Sequence, residues 1–237
     1  MLNNQRILVV VPARGGSKGV KNKNIHPLCG RPLIAHTAEL VRSLAWIDRA
    51  VVSTDSEAIA AAAESAGLAA PFRRPAGISG DRIGDWDVLH HALLEMERLD
   101  GCRYDAVVML QPTSPLRRAQ HVTDTVRKLT FGGWDAVWTV TPVDLKYHPL
   151  KQLVVRADGA MSLFDDRGRA IIARQQLTPT YYRNGACYAL SRSCVVDQKT
   201  TMGARWAGVP IDETMVSIDT LEDFERVEAA LAARSQP

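Results

Sequence analysis

The sequence predicts a doubly wound α/β fold, with a mainly parallel sheet flanked by helices. Three features of the chain predict it. Ile7 to Val11 is a bare β-branched and apolar run without polar alternation, as suits a strand buried on both faces. Segments with apolar residues at helical spacing alternate with such runs as far as Val140. A Gly- and Lys-rich loop, Arg14 to Asn24, follows the first run directly, and in these sheets ligands bind beyond the carboxyl ends of strands.

The elements follow in order. After the first strand and its loop, Pro32 stands where a helix starts, and Leu33, Ile34, Thr37, Leu40, Val41 and Leu44 recur at helical spacing. Ala50-Val51-Val52 is a second strand, ending at Ser53-Thr54-Asp55. Ser56 has the chemistry to cap an Ala-rich helix from Glu57 to Ser65, and Gly67 stops it. Asp85 stands at the start of a helix carrying Val88, Leu89, Ala92, Leu93 and Met96. Ala106 to Leu110 is a buried strand leading into Gln111-Pro112-Thr113-Ser114-Pro115. A helix over about 119–129 and a strand at 136–140 complete the alternation.

From about Val143 to Arg183 the rhythm breaks, and only short strand-like pieces such as Leu153-Val154-Val155 remain. This predicts an inserted arm or small lobe within a single domain spanning 1–237. Gly185 to Leu190 returns as a strand, and Leu221 to Ala233 reads as a closing amphipathic helix.

Composition excludes several classes. With 29 Lys+Arg against 26 Asp+Glu the net charge is only +3, so no nucleic-acid partner is expected. No run approaches a membrane span, and the opening segment lacks the pattern of a signal peptide, so no membrane partner is expected. The four cysteines have no CxxC or zinc-like spacing, which predicts reduced structural thiols in a cytoplasm.

The main chemical signal is Ala13-Arg14-Gly15-Gly16-Ser17-Lys18-Gly19. Glycines let backbone N–H groups approach a phosphate, and Arg14, Lys18, Lys21 and Lys23 add positive charge. The spacing matches neither the GxxxxGK[ST] P-loop nor the GxGxxG dinucleotide fingerprint, which argues against a nicotinamide oxidoreductase.

Val11 to Gly19 with Lys23-Asn24-Ile25 resembles the opening signature of the N-acylneuraminate (CMP-sialic acid) cytidylyltransferases, including CMP-legionaminic and CMP-pseudaminic acid synthetases. Val52 to Ser56, Leu110 to Arg117, His148 to Lys151, Arg174 to Leu177, Arg183 to Ala186, and Ser217 to Thr220 with Asp223-Phe224 resemble later blocks, in the family's order. The related enzymes that activate the eight-carbon acid KDO open with a different loop.

The resemblance implies a Rossmann-like nucleotidyltransferase sheet, and a homodimer in which the inserted arm reaches the neighbouring subunit's site. It implies Mg²⁺-assisted transfer of CMP from CTP to the anomeric hydroxyl of a nine-carbon 2-keto sugar acid. Arg14, Lys18 and Lys23 are then expected to neutralise the leaving pyrophosphate. Ala13, Gly15, Ser17, Asn24 and Arg74 are expected along the nucleotide. Gln111, Lys151, Arg174 and Arg183 match positions near the sugar acid, whose carboxylate an Arg fork suits. Asp219 is the expected ligand of Mg²⁺, although it also suits a helix cap.

Two positions depart from the family. Ser217 stands where an Asp is frequent, which removes a carboxylate from the metal motif and leaves open a nucleotide-binding homologue impaired in catalysis. Asp85 stands where some sialic-acid enzymes carry a Ser; it is expected either to accept from the cytosine amino group or to cap its helix. Together these departures point toward a modified nine-carbon acid such as legionaminic or pseudaminic acid.

Overall fold

In a computed structural model, which describes residues 1–234, the expected sheet forms with six strands. Strand β1 (Ile7–Pro12) leads through the short β2 (Pro27–Leu28) and β3 (Arg31–Pro32) into α1 (Leu33–Arg42). Next come β4 (Arg49–Ser53), α2 (Glu57–Ser65), α3 (Asp85–Asp100), β5 (Ala106–Met109), α4 (Ala119–Gly132) and β6 (Ala136–Pro142). The arm carries a hairpin, β7 (Leu153–Val155) and β8 (Met161–Leu163). The chain closes with β9 (Tyr181–Ser191), α5 (Arg192–Val196), β10 (Trp206–Pro210) and α6 (Leu221–Arg234).

The sheet order is β10-β6-β9-β5-β1-β4. Pairing is parallel throughout except at β9, which runs antiparallel to both β5 and β6. Every residue from Ile7 to Val11 is fully buried, as the unalternated run requires. Ile7, Val9 and Val11 pack with α1, α2 and α4. Leu8 and Val10 pack with α3 and α5 on the other face. The period-2 alternation of a strand sends consecutive apolar residues into two separate cores. A third cluster joins Phe224 and Val227 of α6 to Leu28, Leu33, Leu116 and Ile218, and so fastens the last helix over the strand ends.

Local signals place the helices. Ser56 caps α2 as expected, its Oγ accepting from Ile59 N at 3.4 Å, a contact worth about 1 kcal/mol. Asp85 does not cap α3. It is the first residue of that helix, Gly84 occupies the cap position, and no side chain bonds the cap. A carboxylate in the first turn still favours the helix dipole, but its oxygens stay available to the surface in front of it.

The chain turns from β1 to β4 on one side and to β5 on the other. The switch point therefore lies between β1 and β5, and the crevice outside their carboxyl ends is framed by the loops starting at Ala13 and Leu110. The arm's hairpin stands outside the six-stranded sheet and leaves Leu153, Val155, Met161, Phe164 and Ile172 exposed. Cys29, Cys102, Cys187 and Cys194 are all free thiols. No helix of the described residues is long and apolar enough to cross a membrane.

Candidate functional site

The crevice at the switch point holds a cleft of about 570 Å³. Arg14, Ser17, Lys18, Lys23 and Asn24 from the first loop line it, together with Arg74, Asp85, Gln111 and Asp219. The loop reaches this position because Gly16 takes φ +66°, a left-handed turn that glycine adopts without strain. The N–H groups of Gly16, Ser17, Lys18 and Gly19 have no acceptor among the described residues, so several donors remain open beside the cations.

Close backbone approach fixes one residue type. A Cβ on Gly19 would lie 2.3 Å from the Asp219 carbonyl oxygen. Gly19→Ala must therefore separate the first loop from the segment before α6. The expected result is a loss of about 1–3 kcal/mol in stability with a fall in nucleotide affinity, read by thermal melting and by titration. A variant as stable as the wild type would show that the two segments slide apart freely.

The two loops are also joined by charge. Lys23 Nζ donates to Asp219 Oδ1 at 2.8 Å and to the Ile218 carbonyl at 2.9 Å. The capping role open to Asp219 falls instead to its neighbours. Asp223 Oδ2 accepts from Thr220 N at 2.9 Å, and Thr220 Oγ1 accepts from Asp223 N at 3.3 Å, a reciprocal pair that satisfies the start of α6. The Asp219 carboxylate, 74% exposed, is left facing the cleft. The donors of the segment before α6 fit a hard cation carried largely by phosphates: the Asp219 carboxylate and the Ser217 hydroxyl, with no cluster of three or more acidic, His or Cys residues that could hold a metal among the described ones.

Arg74 is positioned by its backbone, whose N–H bonds the Thr54 carbonyl at 2.8 Å. Its side chain is buried, yet Nε and Nη2 have no partner among the described residues. Burial pushes the guanidinium below its ordinary pKa, and the nearby Asp55 carboxylate opposes that shift. A buried guanidinium with unused donors on a cleft wall is built for a ligand that brings acceptors.

Asp85, half-buried, lines this cleft and a second one of about 500 Å³, as do Gln111, Ser217 and Asp219. Burial raises the Asp85 carboxyl, and Arg183 across the second cavity draws it back down. Arg183 arrives there through an irregularity between β6 and β9. The register jumps from Trp138↔Tyr188 to Val140↔Arg183, and Gly185 in the bulge has φ +72°. A Cβ on Gly185 would meet Gln111 Oε1 at 2.8 Å, so the glycine leaves room for that amide.

Several expected residues stand elsewhere. Ala13 belongs to the core, its N–H bonded to the Ser53 carbonyl, and it does not line the cleft. Gly15 stands behind the wall, its N–H donating to Asp55 Oδ1 at 2.8 Å. Lys151 and Arg174 are not brought to either cavity within one chain. They line a separate pocket of about 280 Å³ on the arm, with Leu150, Leu163 and Leu177. His148 shapes the turn beside them: Nδ1 accepts from Leu150 N at 3.1 Å, and Nε2 lies 3.0 Å from the Thr178 carbonyl.

Three further residues of the site were given no role by the sequence, although Asp55 lies in a loop at a strand's carboxyl end. Asp55, in the loop after β4, tethers Gly15 and faces Arg74. Asp81 pairs with both Arg14 and Lys18, and those cations hold its carboxyl below the ordinary range. Arg117 is fully buried behind the Gln111 turn, bonded to the Gln111 carbonyl and to Thr37 Oγ1, and burial lowers its pKa to about 10. Arg117 closes a resemblance block and Asp81 follows Arg73-Arg74-Pro75, but nothing in the spacing says what either touches.

A doubly wound sheet with open N–H groups and cations at its switch point defines an α/β protein with a cationic cleft beyond its strand ends. The cytidylyltransferase family profile matches residues 8–230, and the chain belongs to that family. Among curated relatives it is 33% identical over 201 residues to the CMP-N,N'-diacetyllegionaminic acid synthase of Legionella pneumophila, covering 82% of each chain. It is 30% identical over 231 residues to an N-acylneuraminate cytidylyltransferase of Streptococcus agalactiae serotype III, covering 93% of this chain but 52% of that one. The chain thus spans about half the length of that relative. Among solved structures, a CMP:2-keto-3-deoxy-manno-octonic acid synthetase complexed with CTP matches at TM-score 0.71 and 18% identity, over 97% of this chain and 99% of that one, a likeness of fold.

Proposed function

We propose that this chain transfers CMP from CTP to the anomeric hydroxyl of a nine-carbon sialic-acid-type 2-keto sugar acid. The observation that carries the proposal is the pair of adjoining cavities, one lined by Arg14, Lys18 and Arg74, the other by Arg183, with Gln111 and Asp219 shared between them. The first suits a triphosphate and the second a hydroxyl-rich acid with a carboxylate. The sialic- and legionaminic-type relatives support the substrate class.

In this reading the hydroxyl gives up its proton to solvent as its oxygen attacks the α-phosphorus, the bond between that phosphorus and the bridging oxygen breaks, and pyrophosphate leaves. Arg14, Ser17, Lys18, Lys23 and the open N–H groups hold the β- and γ-phosphates and take up charge on the leaving group. Asn24, whose Nδ2 bonds the Arg14 carbonyl at 3.1 Å, keeps that loop in shape. Arg74 and Asp85 meet the nucleoside, and Gln111 and Arg183 the sugar acid. Mg²⁺, held by Asp219 with phosphates and water, would supply charge neutralisation and lower the pKa of the attacking hydroxyl. Among the described residues no histidine lines either cavity.

The proposed working unit is a homodimer in which the arm carries Lys151 and Arg174 to the neighbouring subunit's second cavity. The apolar side chains that the arm leaves in solvent, Ile172 at 93% exposure among them, favour burial against a partner. Four unpaired thiols favour a reducing compartment, and the proposed location is the cytoplasm.

The test is pyrophosphate release from CTP and Mg²⁺ with N-acetylneuraminic, legionaminic, pseudaminic and KDO acids supplied separately. Release with one nine-carbon acid, abolished by EDTA, is the expected result. Release only with KDO would overturn the substrate class. CTP binding without release with any acid would favour the impaired homologue, consistent with Ser217 at the metal motif.

A further inference from the structure

The cations of the first loop are already engaged. Arg14 Nη2 lies 2.6 Å from Asp81 Oδ1, and Lys18 Nζ lies 2.5 Å from Asp81 Oδ2. One carboxylate thus spans the two side chains with one oxygen on each, as a phosphate group would. All three residues line the central cleft. Neither cation can give its full hydrogen-bonding capacity to a phosphate while Asp81 stays in place.

The segment that carries Asp81 is tied down by little else. Its residues 80–82 are exposed, and the remaining hydrogen bonds of 79–84 are local: Ser79 to the 75–76 carbonyls, and Ile83 N to the Gly80 carbonyl. Gly80 and Gly84 flank it, and neither would meet a close backbone contact with a Cβ added. At one end the chain is fixed by buried Arg74, at the other by α3. A short exposed segment of this kind moves on nanosecond to microsecond timescales, well within a catalytic cycle.

We infer that Asp81 is an internal competitor for the phosphate site: its carboxylate holds Arg14 and Lys18 until the triphosphate displaces it, and returns as pyrophosphate leaves. The inference rests on the cleft being the phosphate site of the proposed transfer. A triphosphate displaces a single carboxylate because it brings more charge and reaches the open N–H groups of Gly16 to Gly19, which Asp81 does not touch. Pyrophosphate retains part of that advantage and is the product whose exit Asp81 promotes. The apparent affinity of each ligand is lowered by the fraction of molecules in which Asp81 holds the cations.

The probe is inorganic pyrophosphate titrated by calorimetry, without turnover, into the wild type, Asp81→Asn, Asp81→Ser and Asp81→Glu. The two neutral variants should bind pyrophosphate about fivefold more tightly, the scale expected when exposed ion pairs need no longer be broken. Asp81→Glu should stay near the wild type. In the transfer assay the neutral variants should be inhibited by pyrophosphate at correspondingly lower concentration. A merely structural role would weaken binding instead. Equal or weaker binding by both neutral variants, with melting temperatures unchanged, would overturn the inference while leaving the proposed function intact. A wild type that binds neither pyrophosphate nor CTP would overturn both.

Discussion

Asp219→Asn is expected to lower the rate of CMP transfer about a thousandfold, the scale of losing one preorganised electrostatic group at a transferring phosphoryl. The reason is that the motif before α6 has one carboxylate, Asp219, where the family it resembles often has two. With Ser217 in the other position, no second acid of that segment compensates. The fold should hardly notice. Asp219 is mostly exposed, the cap of α6 is made by Thr220 and Asp223, and a pair with half-buried Lys23 that stays open to solvent on the Asp219 side is worth about 1 kcal/mol. Single-turnover kinetics with a melting curve would separate the two effects. Near wild-type transfer by the variant would remove Asp219 from the reaction and move the metal elsewhere. A large fall in melting temperature would show that Lys23–Asp219 is a structural clasp.

Arg74→Met is expected to act with opposite sign on stability and on binding. The guanidinium is buried and its Nε and Nη2 have no partner among the described residues, so its removal relieves about 1–3 kcal/mol of unmet hydrogen bonding. For a chain of 237 residues that corresponds to a rise in melting temperature of about 2–4 °C for each kcal/mol. CTP affinity should fall about a hundredfold, because the variant brings no donors to a desolvated wall that the nucleoside must face. A stabilised protein that still binds CTP normally would show that Arg74 is buried for another reason. A destabilised one would show that Asp55, which opposes the burial shift, already compensates the charge.

Much of the fold was legible because the signals are local. The unalternated run at Ile7 to Val11, the Ser56 cap and the break in rhythm at the arm each depend on neighbours in sequence. The elements that were missed are short or depend on remote partners. Met161–Leu163 forms a strand only because Leu153–Val155 pairs with it, and Trp206–Pro210 is a strand only because β6 lies beside it. The strand expected from Gly185 begins at Tyr181, and its antiparallel direction is set by the return of the arm, which no periodicity records.

The site divides in the same way. Arg14, Ser17, Lys18, Lys23 and Asn24 could be found from the chain because they lie on one loop after one strand, and ligand chemistry concentrates there by topology. Arg74, Asp85, Gln111 and Asp219 were reached by resemblance, and the structure brings all four to the same cleft. Asp81 on the cations, Asp55 behind Gly15, and Lys151 and Arg174 on a separate pocket were decided only in three dimensions. The sequence by itself determined the family, the sheet and the phosphate-facing loop, since composition, periodicity and motif order are properties of the chain. Tertiary structure alone decided which charges meet, because an ion pair depends on the distance between side chains that folding brings together from remote positions.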